Sequence, residues 1–292
     1  MRRSAVVLLC ALLAGCEGGG GQLSEGRPDV STTTTATADP PSGAVEPIGT
    51  ERLDGPDTVK ETVRVLRRAE AAVRVDGAEP AALERLGRRQ QLAYRALAAH
   101  PKWLPMVLEQ LPRELRVGVQ ATHDAGTAIS GVTGEAPTGF PDWEILEPEP
   151  AEQLLAHYRE GEQLFGVSWA YLASIHFVET RMGRIHGLSS AGAQGPMQFI
   201  PSTWAEYGEG DINDNRDAII AAARYLNAND ASTDIDHALF RYNNHEDYVA
   251  SIKGYAQVML EDPGAYFGFY HWQVFYATVE GTFLLPEGWS AA

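Results

Sequence analysis

The chain has 292 residues, 44% of them hydrophobic, and its 23 Lys and Arg stand against 39 Asp and Glu for a net charge of −16 at pH 7. That is enough apolar mass for a substantial core. A balance this acidic excludes nucleic acid as a partner, since phosphate contacts are made by Lys and Arg.

Met1-Arg2-Arg3 is a positively charged start, Ala5 to Leu13 is a short apolar run, and Leu13-Ala14-Gly15-Cys16 has the form of a lipoprotein cleavage site. Residues 1–16 therefore read as a signal peptide, too short to span a bilayer. Cys16 is the lipidation site expected to hold the chain on the outer side of a bacterial cell membrane. An ordinary secretory signal is the plainer alternative. Cys10 would leave with the signal and Cys16 would carry lipid, so neither a disulfide nor thiolate chemistry remains. Residues 17–57 are rich in Gly, Thr, Ser and Pro, cannot bury enough apolar surface to offset the entropy of folding, and read as a tether. About 40 such residues reach on the order of 35 Å.

Residues 58–131 are predicted as a small helical domain. Val59, Val63, Leu66 and Val73 recur at helical spacing, as do Leu83, Leu86, Leu92 and Leu97, with Gly77 and Pro80 between the two patterns. Pro101, Pro105 and Pro112 punctuate a third, shorter helix, and residues 113–130 form a fourth. Charge is split along the chain: residues 60–116 carry 12 basic against 7 acidic side chains, net +5, and residues 117–292 carry 7 against 24, net −17. The basic half could meet anionic wall polymer, lipid headgroups or cell-wall proteins, although a solvated helix face explains the same pattern.

Residues 132–150 read as a connector, and residues 151–292 as the candidate catalytic unit with an aromatic C-terminal tail. Within that unit, Trp169 to Val178 is apolar on nearly every side, interrupted by Ser174 and His176, as in a helix buried all round. Glu179 follows at its end, where loss of water should raise its pKa and suit it to act as a general acid. Gly183, Gly187, Gly192 and Gly195 then impose a loop, and Ser202 is the expected N-cap of a short helix carrying Trp204. His176, one turn before Glu179, reads as a residue with its own hydrogen-bond partner. Arg181 and Arg184 are expected to point away from the carboxyl, whose pKa they would otherwise lower.

At these residues the chain resembles a family. Glu179-Thr180, Ser189-x-x-Gly192-Ala193-x-Gly195-x-Met197-Gln198-Phe199-Ile200-Pro201-x-Thr203, and then Arg241-Tyr242-Asn243-Asn244 with Tyr248-Val249 resemble the lytic murein transglycosylases over about residues 150–262. The resemblance implies a mainly α architecture, a lysozyme-like catalytic domain preceded by the small helical domain. It implies Glu179 as catalytic acid and base, with Ser189, Met197, Gln198, Tyr242 and Asn243 contacting peptidoglycan glycan strands. It implies cleavage without added water, leaving a 1,6-anhydro end, and no cofactor. Thr180, Pro196 and His245 depart from the family's usual residues. A lysozyme-type hydrolase would need a second carboxylate, with Glu206, Asp211 and Asp214 as candidates. A non-catalytic wall-binding lipoprotein is the reading from another class.

Asp211 to Asp217 alternates acids and amides like an EF-hand loop. Arg216 stands where the turn glycine is needed and Ala222 where the bidentate Glu is needed. Capping of the next helix by Asp214 or Asn215 is the expectation instead, and no metal site is predicted. The tail from Tyr266 to Tyr276 is too aromatic to hang in water and is expected to pack down, with Trp289 as a plug.

Overall fold

The structure is a computed structural model that describes residues 55–73, 79–132 and 134–291. The signal sequence, Cys16 and nearly all of the tether lie outside the described residues. Four helices come first: α1 (Val59–Ala72), α2 (Pro80–Ala99), α3 (Trp103–Gln110) and α4 (Arg113–Val132). A short strand β1 (Glu144–Ile145) leads to α5 (Ala151–Phe165), α6 (Trp169–Thr180), strand β2 (Ile185–His186), α7 (Pro201–Tyr207), α8 (Asn215–Ala228), α9 (Ile235–Tyr242) and α10 (Glu246–Glu261). The chain closes with α11 (Ala265–Tyr270) and the hairpin β3 (Val274–Thr278) to β4 (Gly281–Leu285). The fold is mainly α, and no helix among the described residues is long and apolar enough to cross a membrane.

Local chemistry sets the helix ends. Thr58 caps α1 by accepting from Glu61 N at 3.2 Å, and Asp214 caps α8 by accepting from Asp217 N at 2.9 Å. Gly166 closes α5 in the left-handed conformation, φ 71°. The short helix bearing Trp204 starts two residues earlier than expected: Pro201 is its first helical residue and Ile200 the cap, so Ser202 is a helical residue. Proline suits that place because its missing N–H has no intrahelical partner there.

Helix α6 is the centre of the molecule. Residues 172–180 are all buried, because α5, α8, α10 and α11 pack around it. Leu172, Ile175 and Phe177 are fully enclosed, each contributing about 2 kcal/mol by leaving water.

One buried cluster runs from Val63 to Trp272 and takes side chains from both sides of the expected connector. Helix α4 lies along α10 and α2 against α11. Polar locks reinforce the join. Gln91 Nε2 donates to Gln273 O at 2.8 Å while Gln273 N donates to Gln91 Oε1 at 2.7 Å, and Trp272 Nε1 donates to Gln90 Oε1 at 2.9 Å. Gln90 and Tyr94 in turn donate to buried Glu70. The aromatic tail thus packs against the first helices as well as the unit that follows the connector.

The connector is itself structured. Glu144 and Ile145 pair antiparallel with His186 and Ile185, and Trp143, Ile145, Ile185, Val274, Tyr276 and Leu285 form a second small core with Trp289 against it. The β3–β4 hairpin was not foreseen. All five residues of β3 are buried, so the strand lacks the period-two alternation by which a half-buried strand is read.

Candidate active site

Glu179 sits on the last turn of α6 with 1% of its surface exposed. Burial pushes its pKa from the ordinary 4.5 up to about 8, against the smaller opposing effect of a hydrogen bond from Tyr248. Tyr248 Oη donates to Glu179 Oε1 at 2.9 Å, and the other oxygen, Oε2, is buried without a hydrogen-bond partner. One carboxyl oxygen is therefore fixed and the other is left to carry a proton.

The loop after α6 is tied back to the acid's helix by Thr180. Its Oγ1 donates to Pro196 O at 2.6 Å and accepts from Gly183 N at 3.1 Å, so this hydroxyl joins the end of the helix to the loop. Three of the four non-glycine residues with positive φ among the described residues lie here: Arg181 at 55°, Met182 at 61° and Gln198 at 50°. Backbone strain of this kind costs about 1–3 kcal/mol per residue and persists where the surroundings over-determine it. Gly195, φ 72°, comes so close to Ile212 that an added Cβ would lie 1.9 Å from its carbonyl oxygen, which is why glycine is required there. Thr180→Val should leave Pro196 O unpaired in the interior and cost about 1–3 kcal/mol. Thr180→Ser should be nearly neutral, and urea denaturation of the two variants checks both.

The residues singled out in the sequence fall into two groups. Tyr242 Oη donates to Met197 O at 2.7 Å, its ring stacks on Tyr248 at 6.3 Å with 4° between planes, and burial raises its pKa, with a smaller push from Glu179. Gln198 Nε2 donates to Gly195 O at 2.9 Å, leaving Gln198 Oε1 buried and unpartnered, as is Asn243 Nδ2. Unsatisfied buried polar atoms are costly, so Glu179 Oε2, Gln198 Oε1 and Asn243 Nδ2 are groups suited to meet a polar ligand. Ser189 and Met197 hold the frame instead. Ser189 Oγ accepts from Ala191 N and Ala193 N at 3.2 and 2.9 Å, and the Met197 side chain is fully buried in the main core.

Part of this chain is similar to a lytic murein transglycosylase. Over 127 residues it is 28% identical to membrane-bound lytic murein transglycosylase F of Thiobacillus denitrificans (strain ATCC 25259 / T1), covering 41% of this chain and 27% of that protein's length. The chain thus spans about a quarter of the curated relative. Among solved structures, the Escherichia coli lytic transglycosylase Slt35 in complex with bulgecin A aligns over 74% of this chain and 96% of its own at 14% identity, with a TM-score of 0.35. No family model matches.

Several other polar groups near α6 have structural partners, although Ser174 Oγ and His176 Nε2 are buried without a hydrogen bond. His176 Nδ1 lies 2.7 Å from Tyr158 Oη, and burial lowers its pKa to about 3, so it is neutral at any working pH. Arg181 lies over the Phe177 ring, 4.1 Å from its centroid, and Arg184 pairs with Glu287 at 3.1 Å. Neither guanidinium is among the influences on the Glu179 pKa. Asp211 Oδ1 accepts from Asn213 N and Asp217 Oδ2 from Asp211 N, so these carboxylates serve their own loop and helix. Glu206, Asp211 and Asp214 are exposed. His245, another departure from the resembled motif, caps α10 by accepting from Asp247 N at 3.1 Å.

Tyr248 is the site residue that sequence reasoning did not assign. It lay inside the Tyr-Asn segment of the resembled motif, but its contact with Glu179 spans 69 positions and is made only once α10 packs on α6. Tyr248→Phe removes the bond that opposes burial, so the Glu179 pKa should rise further and the alkaline limb of any activity profile should move to higher pH. A pH–rate profile of the variant tests this.

Proposed function

We propose that this chain is a peptidoglycan lytic transglycosylase of lysozyme-like architecture, with Glu179 as its single acid and base. The observation that carries the reading is the buried Glu179 carboxyl with its pKa pushed up to about 8, one oxygen held by Tyr248 and the other unpartnered. Such a group is protonated at neutral pH and poised for general acid catalysis. No other carboxylate contributes to its shift, which favours a route in which the substrate supplies what a second acid would. The similarity to a lytic murein transglycosylase over 127 residues supports the substrate class.

In this mechanism Glu179 protonates the glycosidic oxygen between the muramoyl and glucosaminyl sugars. The muramoyl N-acetyl group assists departure, with Gln198 and Asn243 as its polar neighbours. Glu179, now ionised, takes the proton of the same sugar's C6 hydroxyl as that oxygen closes on C1. The bond to the leaving sugar breaks, a 1,6-anhydro ring forms, and Glu179 regains its proton. Localisation outside the cytoplasm on a lipid at Cys16 belongs to the same proposal and rests on the lipoprotein-like sequence of residues 13–16.

Mass spectrometry of fragments from purified peptidoglycan tests the reaction. Fragments one water lighter than hydrolytic muropeptides are expected from the wild type and none from Glu179→Gln. Reducing-end fragments would convert the assignment to a hydrolase and direct attention to Glu206, Asp211 and Asp214. No fragments from either protein would leave a wall-binding role.

A further inference from the structure

Helices α1 and α2 line a groove to which none of the residues around Glu179 contributes. Arg64 and Arg68, one turn apart on α1, face Arg85 and Arg89, one turn apart on α2, across a cavity of about 320 Å³ whose remaining lining is Val65, Ala82 and Leu86. No acid lines it among the described residues. All four arginines are exposed. Glu61 pairs with Arg64 at 2.7 Å, and the nearby Glu84 is engaged with Arg88 at 2.8 Å. Like charges at four-residue spacing destabilise a helix on their own, so two such pairs set face to face make a site that an anion would relieve. Lys60 and Arg67 line the adjoining hollow together with Glu61, which is paired with Arg64, and extend the basic face along α1.

We propose that this face docks on an anionic membrane surface, the guanidiniums taking the phosphates of lipid headgroups. Guanidinium is the side chain best matched to phosphate oxygens, through paired N–H donors. Three observations favour a membrane over a soluble anion. The described fold begins at Gly55, four residues before α1, so the groove lies at the end of the fold nearest the 54 preceding residues, whose start reads as a lipid-anchoring signal. The basic face is broader than one phosphate, as a surface of many headgroups requires. The rest of the chain is strongly acidic, with net −17 over residues 117–292, and would be repelled by anionic lipid, so docking on α1 and α2 turns the acidic part outward. A polybasic patch adds to a lipid anchor the second attachment that stable membrane association needs. This inference stands independently of the reaction proposed for Glu179.

Vesicle sedimentation of the full chain carrying Cys16→Ser, which removes the acyl chain, tests the docking. Vesicles of phosphatidylcholine with phosphatidylglycerol in equal parts should be bound at least about tenfold more tightly than vesicles of phosphatidylcholine alone, with the preference falling as salt is raised. Arg68→Glu with Arg85→Glu should abolish the preference. Arg68→Lys with Arg85→Lys should keep most of it, because the surface reads charge. Circular dichroism shows whether each variant is folded, and Arg68→Gln with Arg85→Gln, which should weaken the preference several-fold, carries the test if the Glu pair is not. Equal binding to both vesicle types, or a preference unchanged by charge reversal, would overturn the proposal. So would saturable binding of inorganic phosphate or of purified wall polymer that the Glu pair abolishes while vesicles show no preference.

Discussion

Glu179→Gln should lower glycan cleavage by about 10²–10⁴-fold and at the same time make the protein more stable above neutral pH. The two effects share one cause. Burial raises the Glu179 pKa from 4.5 to about 8, so the folded chain holds a proton that the unfolded chain releases above about 4.5. Stability from this group is complete below pH 4.5 and is lost progressively as the pH rises to about 8. The loss is on the order of 5 kcal/mol. Glutamine keeps an oxygen for the Tyr248 hydroxyl but has no charge to bury. The variant's melting temperature should therefore match the wild type near pH 4 and exceed it increasingly toward pH 9, by about 10 °C or more. Calorimetry across that range decides. A difference independent of pH would mean that the carboxyl is not held protonated by the fold.

Gly195→Ala should be the most damaging methyl added at any glycine among the described residues. The added Cβ would fall 1.9 Å from the Ile212 carbonyl oxygen, on a backbone with φ 72°, and neither group is the end of a flexible side chain that could move aside. A loss above about 2 kcal/mol is expected. Activity should fall even in molecules that remain folded. Gly195 O accepts from both Gln198 N and Gln198 Nε2, at 3.0 and 2.9 Å, so displacing it releases the Gln198 amide from the position this turn gives it. Gly192→Ala is the control: its φ is also positive, at 78°, but nothing lies within 4 Å of the added methyl. It should cost about 1–2 kcal/mol, from backbone alone. Chemical denaturation of both variants, with cleavage assayed below the transition, separates strain from clash.

The parts of this molecule legible in its sequence are those whose signal is local. Helix α6 is apolar on every face, and only complete burial makes that pattern stable; Glu179 at its end inherits the same burial. The amphipathic repeats of the first two helices, the prolines that bound the third, the glycine loop and a cap at Asp214 or Asn215 were readable for the same reason. What escaped depends on distant residues meeting. The junction of α2 with the C-terminal segment runs through Gln90, Gln91 and Trp272, and two glutamines on a helix carry no mark of the segment they will hold. Strand β3 is buried on both faces and shows no alternation. Around the acid, the resembled motif drew attention to Ser189 and Met197, whose structural work is to form a turn and fill the core, while Tyr248, which touches Glu179, is one tyrosine among 11 until α10 is in place.

The account depends on the protonation state that the fold imposes on Glu179. Carbon-13 NMR of glutamate side-chain carboxyls, with the Glu179 resonance assigned by its absence from Glu179→Gln, measures that state directly. A midpoint near 8, rising further in Tyr248→Phe, is the predicted result. A midpoint near 4.5 would contradict it, because the carboxyl would then be ionised at neutral pH and unable to protonate a glycosidic oxygen.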